Sequence, residues 1–171
     1  MQCASVAAIS GLVIGLIPVS ARAVDASPGE AGATDEWCDT INAPIVSTFF
    51  VDGCTSPAGV CTQGTIPSGR LAGTTVFTVL TVEPGNLPNL LLYTGELVIS
   101  TPAGDLIIHD TGVFDAVDLT FSEIDPIVGG TGGLRLATGV LFSQGIRTDT
   151  GFDGVIFGDM CVLPGDKPPD N

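Results

Sequence analysis

A chain of 171 residues is one domain's worth, and 19 Asp and Glu against 5 Lys and Arg give it a formal net charge of −14. Such a surface repels phosphate backbones and anionic headgroups. That argues against nucleic acid or a membrane as partner and reads most simply as solubility outside the cell.

The first element is a targeting segment. The apolar run GLVIGLIPV at 11–19 is followed by Ser20 and the small-x-small pattern Ala21-Arg22-Ala23. Residues 1–23 therefore read as a secretory signal peptide, although the Met1-Gln2-Cys3 start carries no basic residue. Gly15 and Pro18 interrupt the run, which is shorter than the roughly 20 residues of a spanning helix. The expected destination is secreted or periplasmic, with no membrane attachment after cleavage. Residues 24–42 are predicted to be a flexible lead-in, 43–163 a folded domain, and the Pro- and Asp-containing stretch 164–171 a disordered tail.

Within the domain, short runs rich in Val, Ile, Leu, Phe and Thr are bounded by Gly, Pro, Asn or Asp, the signature of strands and turns. The runs are 45–51, 71–82, 90–101, 105–110, 117–123, 134–143 and 152–161, with 53–69 as the longest linker. No helical stripe and no long crossover interrupts them, so the sheet is predicted to be antiparallel and meandering. Gly95, Gly112, Gly139, Gly154 and Gly158, in or beside strand runs, permit the bends of a barrel. The fold class expected is all-β: one closed antiparallel barrel of about eight strands, calycin-like. In 90–101 both parities are apolar, which predicts self-association through an outer face.

Cys38, Cys54, Cys61 and Cys161 remain after cleavage, an even number that predicts disulfides in an exported domain. Of three possible pairings, Cys54 with Cys61 brackets a turn-rich loop and leaves Cys38 for Cys161. The C-x6-C spacing is too wide for a usual zinc knuckle, and neither metal nor cofactor is expected.

The segment 127–141, IVGGTGGLRLATGVL, resembles the strand-turn-strand signature of the allene oxide cyclase and dirigent families at Gly129, Gly130, Thr131, Gly132, Leu134, Ala137 and Gly139. Residues 93–112 and 151–161 are similar to bacterial exported members of the allene oxide cyclase barrel-like group. The resemblance implies an eight-stranded barrel, often dimeric or trimeric, in which some members confine an apolar substrate and guide its cyclisation or coupling. The motif itself is structural, and Leu134 stands where Phe or Tyr is common.

Candidate chemistry is sparse. Tyr93, Glu96 and Arg135 are polar positions inside apolar runs, and Arg135 paired with Glu96 across the barrel would be the best clue to a site. His109, the single histidine, reads as an exposed strand-end residue. No G-x-S-x-G elbow accompanies it. Glu123 and Asp125 share a parity, but Pro126 suggests a solvated rim. Asp149 and Asp153, and Asp110 with Asp115 and Asp118, read as turn-forming or strand-end carboxylates. Trp37 reads as packing beside a disulfide. The functions expected are a module binding an apolar small molecule or a partner, an isomerase or cyclase acting by confinement, or a structural protein with a filled barrel.

Overall fold

A computed structural model describes residues 37–163. Eight strands follow one another: β1 (Trp37–Phe50), β2 (Cys61–Ile66), β3 (Gly73–Pro84), β4 (Leu90–Thr101), β5 (Gly104–Asp115), β6 (Thr120–Gly130), β7 (Thr138–Arg147) and β8 (Gly151–Val162). Each pairs antiparallel with the next, and β8 returns to β1, closing the barrel without a free sheet edge. The proposed signal peptide lies outside the described residues. Among those described, no helix is long and apolar enough to cross a membrane.

The boundaries differ from the sequence reading in several places: the runs 105–110 and 117–123 give way to β5, which goes on to Asp115, and to β6, which spans Thr120–Gly130. β1 begins at Trp37, not after residue 42, because Trp37, Ile41, Ala43 and Ile45 keep a period of two that polar Asp39, Asn42 and Pro44 disguise. Asp39 on the same face is held by Arg70, 3.7 Å away, whose guanidinium also stacks 4.1 Å over the Trp37 ring. The supposed linker 53–69 contains β2, whose polar sequence CTQGTI has little strand character by itself but is paired on both sides. The run 134–143 starts as a 3-10 turn, and β7 begins only at Thr138.

The interior is divided along its axis. At one end, the base, Ile41, Ile66, Ile99, Leu106, Leu141 and Met160 form a packed core. Leu134 plugs it from the turn between β6 and β7. The glycine-rich motif shapes this plug. Gly132 has φ of +54°, a conformation that favours glycine. The Thr131 hydroxyl accepts a hydrogen bond from Asp105 N–H, and Ala137 N–H donates to Leu134 C=O.

Both expected disulfides are present. Cys38–Cys161 joins β1 to β8 across the closing seam, and Cys54–Cys61 staples the β1–β2 loop at the opposite end, the mouth. The Ser56 hydroxyl holds that loop down: it accepts from the N–H groups of Ala58 and Val60 and donates to Val79 C=O at 2.6 Å.

Candidate functional site

The mouth half of the barrel is hollow. A cavity of about 280 Å³ opens there, walled by Phe49, Phe77, Phe114, Phe121, Phe152 and aliphatic side chains from β1, β3 and β4. The period of two places these residues inside. Phe152 meets Phe49, Phe114 and Phe121 edge-on, at centroid distances of 5.2, 6.4 and 5.5 Å. Arg147 stands exposed at the rim, its guanidinium 5.7 Å from the Phe49 ring centroid.

The floor, where cavity meets core, is polar. Tyr93 on β4 donates to Glu123 Oε1 on β6 at 2.7 Å. The two residues are two strands apart, and Gly112 of β5 pairs with both. Beside them lie Asp110 of β5 and Asp125 of β6, 2% and 0% exposed. These two fall at a break in the β5–β6 ladder, between the pairs Ile108↔Ile127 and Thr111↔Ile124. Pro126, which lacks an N–H, sits in the same break. Ser143 of β7 donates to Asp125 Oδ2 at 2.5 Å. Both oxygens of Asp110 and Oδ1 of Asp125 receive no N–H or hydroxyl from elsewhere in the barrel.

One carboxylate oxygen from each of Asp110, Glu123 and Asp125 lies within 4.8 Å of the other two. Three acids so close and so buried cannot all ionise cheaply. Burial, then the charges of Glu123 and Asp125, push Asp110 up to about 10. Its retained proton serves Asp125, which burial raises to about 6 against the opposing pull of Ser143 and Asp110. Burial, then the charge of Asp125, raises Glu123 to about 8, opposed by the Tyr93 hydrogen bond. Burial and the adjacent Glu123 also hold the Tyr93 hydroxyl well above its ordinary range.

Of the three catalytic candidates named from the sequence, Tyr93, Glu96 and Arg135, only Tyr93 belongs to this floor. Glu96 points outward to His109, 3.5 Å away, and both side chains are about half exposed. Arg135 lies exposed at the end of the 3-10 turn by the base, so the two ends of the imagined Glu96–Arg135 pair stand outside the interior. Asp115 accepts from Asn89 and from the N–H groups of Val117 and Asp118, an ordinary turn carboxylate. Asp149 and Asp153 are exposed around the β7–β8 turn. Glu123 and Asp125 are not a solvated rim, because β6 continues past Pro126 to Gly130. Their interior position follows from parity with Phe121 and Ile127, as that of Asp110 follows from Leu106 and Ile108.

No protein-family model matches this chain, and no match was found among curated proteins or among solved structures. The likeness to allene oxide cyclases and dirigent proteins thus rests on the motif residues alone.

Proposed function

We propose that the barrel admits a small, largely apolar molecule through its mouth and moves a proton on it at the floor, as an isomerase or cyclase acting by confinement. The observation that carries this reading is the Tyr93–Glu123 hydrogen bond at the end of an open apolar cavity. A carboxyl raised to about 8 holds both protonation states near neutral pH, as a group that must take and return a proton requires. Glu123 is the base: its carboxylate takes a proton from a substrate carbon, and Glu123–OH returns it at another atom, so the substrate is neither oxidised nor reduced. Tyr93 orients the carboxylate. The cavity is close to the lower end of the roughly 300–1,000 Å³ typical of small-molecule sites. A barrel built only as a scaffold has no need of an interior left empty in one half. Two disulfides support work in an oxidising compartment, in keeping with secretion.

The test uses 5-nitrobenzisoxazole, an apolar probe whose ring opens when a base removes its carbon-bound proton. The purified protein should accelerate this opening at least ~10-fold over its Glu123→Gln variant. The rate should rise with pH through about 8 as Glu123 ionises. Equal rates in the two proteins would overturn the assignment of Glu123 as base.

A further inference from the structure

The floor of the cavity is rich in acceptors and poor in donors. Asp110 lines the cavity, is 2% exposed, and has two oxygens that no N–H or hydroxyl of the barrel serves. Oδ1 of Asp125 is likewise reached by no N–H or hydroxyl of another residue, and the proton that Asp110 retains is what Asp125 shares. A buried acceptor left unserved is costly, and natural structures rarely tolerate several together without a use for them. Above the floor the walls are aromatic rather than polar, and ring faces attract cations. We infer that the ligand meets this floor with a primary ammonium group, so that the site takes an alkyl or aralkyl amine.

This rests on the reading of the mouth as a ligand site and names the chemistry of the ligand's buried end. A primary ammonium carries three N–H donors, enough to serve one oxygen from each of three carboxylates at once, the unserved Asp110 among them. Three oxygens each about 2.8 Å from one tetrahedral nitrogen stand roughly 4.6 Å apart. The carboxylate oxygens of Asp110, Glu123 and Asp125, within 4.8 Å of one another, are gathered on that scale. A neutral alcohol supplies one donor and leaves the rest unserved. The apolar remainder of the amine lies along Phe77, Phe114, Phe121 and Phe152. The net charge of −14 draws cations toward the protein before any contact is made.

Binding of an ammonium is coupled to proton loss from the floor. The ionisable groups lining the floor are Tyr93 from β4, Asp110 from β5 and Glu123 from β6, with Asp125 of β6 fully buried beside them. Arg147 from β7 stands at the rim, while β1, β2, β3 and β8 line the cavity with apolar, Ser, Thr and Gly residues only. The cation favours the ionised carboxylates, so protons held by Asp110 and Glu123 in the empty barrel are released as it enters.

The experiment is calorimetric titration of the full protein at pH 7 in two buffers of different ionisation enthalpy. The probes are 2-phenylethylamine, its neutral counterpart 2-phenylethanol, and CaCl2 or MnCl2 alone, against wild type, Asp110→Asn and, as an outer-face control, Glu96→Gln. The expected result is at least ~10-fold tighter binding of the amine than of the alcohol, with proton release. Asp110→Asn should lose that preference yet still bind the alcohol, and Glu96→Gln should keep it. Equal binding of amine and alcohol overturns the ammonium inference and leaves the cavity reading standing. Binding of neither organic probe overturns both. Saturable metal binding that Asp110→Asn abolishes, without amine binding, makes the floor a metal site and overturns the inference.

Discussion

The hydroxyl of Tyr93 reaches the carboxylate of Glu123 by passing over Gly112 on the strand between them. A Cβ at Gly112 would lie 2.5 Å from Cζ of Tyr93 and 2.9 Å from Cγ of Glu123. The hydrogen bond exists because that position has no side chain. Gly112→Ala should therefore push the ring aside and sever the bond. Tyr93 is the only tyrosine, so absorbance at 295 nm follows its ionisation alone. In wild type the native phenol should stay protonated past its ordinary value of about 10. In Glu123→Gln it should titrate at lower pH, while staying raised by its burial, the larger cause. Unchanged titration in Glu123→Gln would show that the two groups are not coupled.

The acidic floor makes stability depend on pH in a defined sense. Asp110, Glu123 and Asp125 have folded-state values raised to about 10, 8 and 6, above those of the unfolded chain. Between the unfolded and folded values the native barrel binds more protons than the unfolded chain, so stability falls as pH rises. Their contribution is fully present below about pH 4 and is lost progressively up to about pH 10. Denaturant melts across this range should show the decline. Asp110→Asn, which cannot ionise and can donate to Asp125, should flatten it and add about 1–3 kcal/mol at pH 8. A loss of stability in that variant at pH 8 would contradict the account of an unserved buried acid.

The seam disulfide closes a loop with a sequence separation of 123 residues between Cys38 and Cys161. In the chain-entropy account, replacing both with Ser should destabilise the barrel by roughly 4–5 kcal/mol. The melting temperature of the double variant measures this. A change below about 1 kcal/mol would mean that β1–β8 pairing alone fixes the closure.

The Cys54–Cys61 bridge closes a much shorter loop, and its effect should be local. Val60, next to Cys61, lines the cavity. Replacing both cysteines with Ser should loosen the rim and speed ligand release more than it lowers the melting temperature. Stopped-flow dissociation of a bound probe separates the two effects.

On the outer wall, Glu96 and His109 form an exposed pair. Glu96→Ala should change stability by less than about 1 kcal/mol and leave cavity binding unaltered. A large effect on binding would require Glu96 to reach the interior, contrary to its place in the strand.

Most strands were legible because barrel strands with an apolar interior announce themselves as Val-, Ile- and Leu-rich runs between turn residues. β2 and the first residues of β1 were not, because their strand character comes from partners. Gln63 pairs with Thr48 and Val76 on either side, and Cys38 is matched to Cys161. The floor was hidden for a related reason. Pro126 reads locally as a strand end, yet it occupies a ladder break at which no hydrogen bond is required of it. Counting by twos from Phe121 through Glu123 and Asp125 to Ile127 would have turned both acids inward. Only the register of β4, β5 and β6 brings Asp110 and Tyr93 to meet them.

Trp37 and Val162 are paired neighbours at the base, where Leu134 plugs the core, while the cavity opens at the other end. The described chain therefore enters at Trp37 and leaves after Val162 on the sealed face. A fusion, an immobilising tag or a tether to a cell surface joined there would hold the molecule like a cup by its foot, brim turned outward. Such attachments should leave access to the aromatic walls undisturbed.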